Sequence, residues 1–159
     1  LETSEQYYSR ISSTQQWRHR LETVNSATRV GLKVCSGGLF GRGESWKDRI
    51  QLALTLRECE VDSIPINFLN PRTGTPLGHR PLLAADEALR IIALYRHLLP
   101  SQTLNVCGGR AVTLGDKQPL LFVAGANSLM TGDYLTTKGR MPQEDVNLIR
   151  ACGFTISRG

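Results

Sequence analysis

Residues 31–43 read GLKVCSGGLFGRG. Gly31 stops a helical pattern, Leu32 to Cys35 is a short β-type run, and Ser36-Gly37-Gly38 predicts a turn. Gly41 and Gly43 then keep the chain irregular until Ser45 opens the next helix. This reading puts Cys35 at the carboxyl end of a strand, beside a backbone that other groups can approach closely. In parallel α/β folds, ligands bind at that edge. The plainer reading of the same residue is a buried structural thiol beside a tight turn, since free cysteine is among the most buried residue types.

Outward from this stretch the chain alternates. Leu1 to Ser4 reads as the end of a strand and a turn. Ser13 to Gly31 is a predicted helix, with Ser13 and Gln16 as a capping box and Trp17, Leu21, Val24 and Thr28 on one face. A second helix runs from Ser45 to Cys59, with Trp46, Ile50, Ala53 and Leu54 inward, and Ser63 to Leu69 follows as a strand. The loop from Asn70 to Pro81 holds three prolines and two glycines and cannot be regular. Ala85 to Leu99 is a third helix with Leu89, Ile92 and Leu99 on its apolar stripe, and Leu104 to Val106 is a short strand. A short helix from Asp116 to Ala124 has Asp116 as its cap and Pro119 in its first turn. A strand at Asn127 to Met130 and a helix from Pro142 to Cys152 complete the pattern.

Strand followed by helix, four times over, predicts parallel β/α units in one partial barrel domain over residues 1–159. CSGG, INFLNPRTGTP, CGGR and TGDYLTT each follow a strand, where a β/α barrel builds its active site. A full eight-fold barrel takes roughly 200 residues or more, so this chain supplies about half of one. An open doubly wound sheet is the competing architecture, but no G-x-G-x-x-G follows a strand.

Composition narrows the function. The chain is 40% hydrophobic and 21% charged, ordinary for a globular protein. Its net charge of +5 is scattered, without the dense basic run or aromatic interleaving of a nucleic-acid binder, and suits solvated faces with an anionic cofactor. No secretory leader or apolar membrane run is visible, so the four cysteines are read as reduced thiols in a cytoplasmic protein. Leu1 stands where an initiating Met would, and the chain opens inside a motif, which predicts a fragment.

Cys35 and Cys107 both follow predicted strands and both precede paired glycines. Two thiolates at a barrel mouth suit zinc or an iron–sulfur cluster, with further ligands outside this chain. Cys59 and Cys152 sit at helix ends and read as structural. The Asn67 amide can donate and accept together, as a bound urea or amide requires, or it caps a turn. Arg20, one helical turn from Trp17, can grip a carboxylate or sit as a surface charge. Thr136 and Thr137 can present hydroxyls to an anion or form a polar turn.

Four stretches in register, KVCSGGLFGRGES, SIPINFLNPRTGTPL, CGGR and VAGANSLMTGDYLTT, resemble the carboxyl-terminal half of the biotin synthase family over about residues 1 to 154. The resemblance implies a radical S-adenosylmethionine enzyme on a TIM-type β/α barrel, homodimeric as the full-length protein. In that family a 4Fe-4S cluster held by CxxxCxxC, reduced by a donor such as flavodoxin or ferredoxin, cleaves S-adenosylmethionine. The resulting 5′-deoxyadenosyl radical abstracts hydrogen from dethiobiotin, and an auxiliary iron–sulfur cluster, 2Fe-2S or a variant, donates the sulfur. By resemblance Cys35 falls on an auxiliary-cluster ligand, Glu2 on the ribose binder of S-adenosylmethionine, and Arg20 on the arginine facing the cofactor's carboxylate. Asn67 falls on the residue that bonds the ureido ring of dethiobiotin, and Thr136 and Thr137 on the pair near its carboxylate tail. Two departures stand out. Asn105 occupies the position of the family's arginine ligand, with Cys107 close by as a candidate replacement ligand or a packing thiol. And no CxxxCxxC is present. Another radical S-adenosylmethionine enzyme, such as a hydrogenase-cofactor maturase or methylornithine synthase, and a non-catalytic half-barrel that binds a ligand are the alternatives.

Overall fold

The strands find their partners through alternation. In Ser63–Phe68 and Thr103–Val106 every second residue is apolar and fully buried: Ile64, Ile66 and Phe68 in the first, Leu104 and Val106 in the second. That period turns one face of each strand to a common core and leaves Ser63, Pro65, Asn67, Thr103 and Asn105 half-buried on the other. A computed structural model of the chain describes residues 1–134 and 137–157. It shows four parallel strands in the order β1 (Gly38–Phe40), β2 (Ser63–Phe68), β3 (Thr103–Val106) and β4 (Ser128–Leu129). Helices α3 (Trp46–Glu58) and α4 (Ala85–Leu98) cover the apolar face with Leu52, Leu56, Ile91, Ile92 and Tyr95. The other helices are α1 (Glu5–Tyr8), α2 (Trp17–Arg29), α5 (Arg110–Leu114), α6 (Leu120–Val123) and α7 (Pro142–Ala151). This is the expected segment of a parallel β/α barrel, its polar face toward the lumen. No helix among the described residues is long and apolar enough to cross a membrane.

Several predicted boundaries move, and each has a cause. The run Leu32 to Cys35 is not the first strand. Cys35 pairs with Ser63 in a lone bridge, and Gly38 pairs with Ile66 in the same register, so the strand runs onward from the cysteine. Ser36-Gly37-Gly38 is extended rather than turned. Its glycines serve packing: a Cβ on Gly37 would lie 2.1 Å from the Pro65 carbonyl oxygen, and one on Gly38 would strike Phe40 and Leu52. Cys35 therefore opens the strand instead of ending it.

The Ser13–Gln16 capping box does not form, and α2 begins at Trp17 with Gln16 as a cap that makes no side-chain bond. Ser45 does cap α3, in a box with Asp48. The inward face of α3 is Arg49, Leu52, Ala53 and Leu56, while Trp46 and Ile50 are exposed. The helix is rotated because the Arg49 guanidinium turns inward to Glu44 at 2.9 Å and Glu87 at 2.6 Å. The helix read at Asp116 to Ala124 is α5, a 3-10 turn at Gly115–Lys117 and α6. It starts earlier because left-handed Gly109 launches α5 and the Arg110 side chain is fully buried.

Candidate functional site

Leu1 and Glu2 run beside the outer edge of β1. The Glu2 N–H donates to the Gly37 carbonyl at 2.8 Å, and the Leu39 N–H donates to the Glu2 carbonyl at 3.1 Å. Helix α2 brings Arg20 over this edge, where its guanidinium meets the Glu2 carboxylate at 2.9 Å. The Trp17 indole anchors the start of that helix by donating to the Thr3 carbonyl at 2.9 Å. Between α2 and the strands lies a cavity of about 450 Å³ lined by Glu2, Arg20, Cys35 and Asn67. Four of the seven residues singled out from the sequence thus meet in one space, although 65 positions separate Glu2 from Asn67.

The chemistry of this cavity is amphoteric. It holds one carboxylate, one guanidinium, an exposed thiol and the carboxamides of Gln15 and Asn67. The Asn67 carboxamide is partly engaged: its oxygen accepts from the Gly108 N–H at 2.9 Å, and its nitrogen lies 3.5 Å from the Gly38 carbonyl. These contacts fix the amide's orientation and leave a donor for a ligand. A guanidinium and a carboxylate side by side can pair with the opposite charges or hydrogen-bonding groups of a ligand.

Cys107 and Thr137 do not line this cavity, and Thr136 lies outside the described residues. Cys35 is level with Ser63 and, across β2, with Thr103. Cys107 is four positions beyond Thr103 on β3, about 13 Å further along the strand direction. Cys107 lies one position past the Ile66–Val106 pair, as Asn67 does, so the two cysteines differ in level along the strands, while Asn67, level with Cys107, lines the cavity with Cys35. Cys107 is 1% exposed, its thiol donates to the Asn105 carbonyl at 3.2 Å, and the Tyr134 hydroxyl caps its carbonyl at 3.1 Å. Burial first, and then the Cys35 thiolate's charge, push the Cys107 thiol from 9.0 up to about 11. The glycines after it pack on β2: the Phe68 N–H donates to the Gly108 carbonyl at 2.8 Å, and a Cβ on Gly109 would lie 1.9 Å from the Phe68 carbonyl oxygen. Thr137 offers its carbonyl to the Tyr134 N–H at 2.9 Å, inside its own turn.

Among the described residues no group of three or more His, Cys, Asp or Glu is placed to hold a metal ion. Cys35, exposed at the cavity and backed by Gly37, fits as one thiolate ligand of a soft cluster, with the remaining ligands supplied from beyond these residues.

Buried charges are what sequence reasoning missed. Arg42 and Glu44 sit in the GRGE turn, where the Glu44 carboxylate accepts from the Gly41 and Arg42 N–H groups at 3.0 and 2.9 Å. Arg110 donates to Gln118 and to Asp145 on α7 in the interior, and to the Met130 carbonyl at its margin. The pattern that could have exposed Arg42 is its place between Gly41 and Gly43, which a surface arginine does not need.

Comparison with known proteins agrees with this picture. The family model of the Biotin and Thiamin Synthesis associated domain matches residues 65–155. Among curated relatives, the biotin synthase of Syntrophotalea carbinolica is 52% identical over 99% of this chain and 48% of its own length. Those of Desulfovibrio desulfuricans and Crocosphaera subtropica are 51% and 49% identical, over 98% and 96% of this chain and 49% and 40% of their own lengths. The chain thus spans about half the length of the curated relatives it matches. The crystal structure of methylornithine synthase (PylB) superposes with a TM-score of 0.77 at 21% identity, over 96% of this chain and 49% of that one, a likeness of fold alone. The resemblance to biotin synthase and the half-barrel architecture both hold. With a family match covering more than half of its residues, the chain belongs to the family of the Biotin and Thiamin Synthesis associated domain.

Proposed function

We propose that this chain is the carboxyl-terminal half of a biotin synthase, which inserts sulfur into dethiobiotin to form biotin. The observation that carries this reading is the convergence of Glu2, Arg20, Cys35 and Asn67 on one cavity. In it, Arg20 leaves its pairing with Glu2 to hold the carboxylate of S-adenosylmethionine, and the Glu2 carboxylate accepts hydrogen bonds from the cofactor's ribose. The Asn67 amide N–H donates to the ureido carbonyl of dethiobiotin while the Gly108 N–H keeps the amide from rotating. Cys35 supplies one thiolate to the auxiliary iron–sulfur cluster, and Cys107 serves as a packing thiol. Thr136 and Thr137 are assigned to the substrate's carboxylate tail by the family resemblance. When bound, the cofactor and the clusters supply the radical and the sulfur. The 4Fe-4S ligands, a flavodoxin- or ferredoxin-type electron donor and a second subunit complete the working enzyme.

The test is direct. The full-length protein is reconstituted anaerobically with iron and sulfide, then given a reductant, S-adenosylmethionine and dethiobiotin, and its products are analysed by mass spectrometry. Biotin is the expected product. Cleavage of S-adenosylmethionine without any biotin, or formation of methylornithine from lysine instead, overturns the proposal.

A further inference from the structure

Arg42 is a buried charge beside the cavity to which the proposed function gives no task. It is 4% exposed, and its backbone is fixed on three sides. Gly41 and Gly43 flank it at φ of 90° and 103°, its N–H donates to Glu44 at 2.9 Å, and its carbonyl accepts from the Tyr7 hydroxyl at 2.6 Å. From this mount the guanidinium reaches Glu2 twice. One Nη donates to the Glu2 carbonyl at 2.9 Å and the other lies 3.5 Å from the Glu2 carboxylate, while Nε donates to the Leu39 carbonyl at 3.1 Å.

Glu2 needs such support. Its φ of 75° lies in the left-handed region, costly for a residue with a Cβ and sustained only where the surroundings impose it. Among the described residues the other non-glycine with positive φ, Glu60, follows the end of α3, where a left-handed residue is an ordinary helix terminator. Glu2 lies against a strand instead. It bridges to Gly38 at the sheet edge. The other cation on its carboxylate, Arg20, has a side chain 34% exposed against 5% for Arg42. Arg20 is the partner free to move, and Arg42 is the one locked in place.

We propose that Arg42 is a positioning residue: it holds Glu2 in its left-handed conformation and keeps the Glu2 carboxylate facing the cavity, ready for the vicinal hydroxyls of a nucleoside while Arg20 turns to the ligand's carboxylate. The inference rests on the reading of Glu2 as a cofactor contact, and the experiment separates the two. In the full-length protein, dissociation constants for S-adenosylmethionine and its 2′-deoxyribose analogue are measured by equilibrium dialysis for the parent, Glu2→Gln, Arg42→Leu and the double variant. Each single change is expected to weaken S-adenosylmethionine binding about tenfold, and the double variant no further than either. The 2′-deoxy analogue, lacking one hydroxyl for Glu2, loses less. Parent-like binding by Glu2→Gln removes the reading of Glu2. If Glu2→Gln binds weakly while Arg42→Leu binds like the parent, or if the two losses multiply in the double variant, the role of Arg42 fails and the reading of Glu2 stands. Should Arg42→Leu not fold, Arg42→Lys decides. Its single ammonium keeps the charge without the fork, so binding about threefold weaker is expected, and parent-like binding overturns the proposal.

Discussion

Cys35 and Cys107 begin nearly the same phrase, a cysteine leading into paired glycines, and end in opposite surroundings. Around Cys35 the thiol is exposed, and the polar groups beside it open on a cavity. Around Cys107 many polar groups bond to one another: the thiol to a carbonyl, Tyr134 to the Cys107 carbonyl, Arg110 to Gln118, Asp145 and Met130, while Arg110 Nε and Asp145 Oδ1 make no hydrogen bond among the described residues. Strand β2 makes the difference. Both glycine pairs let the backbone close on it, one at Pro65 and the other at its last residue, Phe68. Packing around each cysteine, not the local sequence, leaves Cys35 exposed and Cys107 buried. The β1 side borders a cavity and the β3 side holds a buried ion pair, so substitutions on the two sides should differ in kind.

The largest effect is expected on the closed side. Arg110 and Asp145 form a buried ion pair with side chains 1% and 3% exposed. Asp145→Ala leaves the guanidinium without its counter-charge and should destabilise the full-length protein by about 3–5 kcal/mol in urea unfolding. A loss within 1 kcal/mol would mean that this region is no more closed than the cavity.

Asn67 sharpens the comparison from the open side. Asn67→Ala removes the amide proposed to meet the ureido group and should cost about 1–3 kcal/mol of dethiobiotin affinity, read by calorimetric titration. Unchanged affinity takes Asn67 out of the site.

A smaller effect is a pH dependence on the closed side. The Cys107 thiol titrates at about 11 in the folded protein against 9.0 when exposed. A raised folded value means that the contribution is complete below 9.0 and is lost as the pH climbs toward about 11, because the unfolded chain gives up that proton first. Stability of the parent should therefore fall more steeply across this interval than that of Cys107→Ala. Parallel curves would show that the thiol is not held in its buried place.

Much of this was legible in the sequence, and the parts that were not share one cause. The strands read at Ser63 to Leu69 and Leu104 to Val106 and the helix read from Ser45 lie within one or two residues of β2, β3 and α3, because their signals are local. The motifs also led to Glu2, Arg20, Cys35 and Asn67, and the fold brings them together. What failed depended on partners distant in sequence. Ser36-Gly37-Gly38 reads as a turn by composition, but Pro65, far along the chain, requires those glycines in an extended strand. Helix α3 turns Arg49 inward to meet Glu87 on another helix. Helix α5 begins at Arg110 because its counter-charge is Asp145 on α7. The environment of Cys107 could not be read from CGGR alone for the same reason.

The central claim is that Cys35, not Cys107, is the thiolate of this half-barrel that holds the auxiliary cluster. Its most direct test is to reconstitute the full-length protein, Cys35→Ser and Cys107→Ser anaerobically, then count iron and sulfide and record Mössbauer spectra. Cys35→Ser should lose the auxiliary centre and keep the 4Fe-4S signal, while Cys107→Ser should match the parent in iron, sulfide and spectrum. Retention of the auxiliary centre in Cys35→Ser, or its loss in a folded Cys107→Ser, would contradict the account.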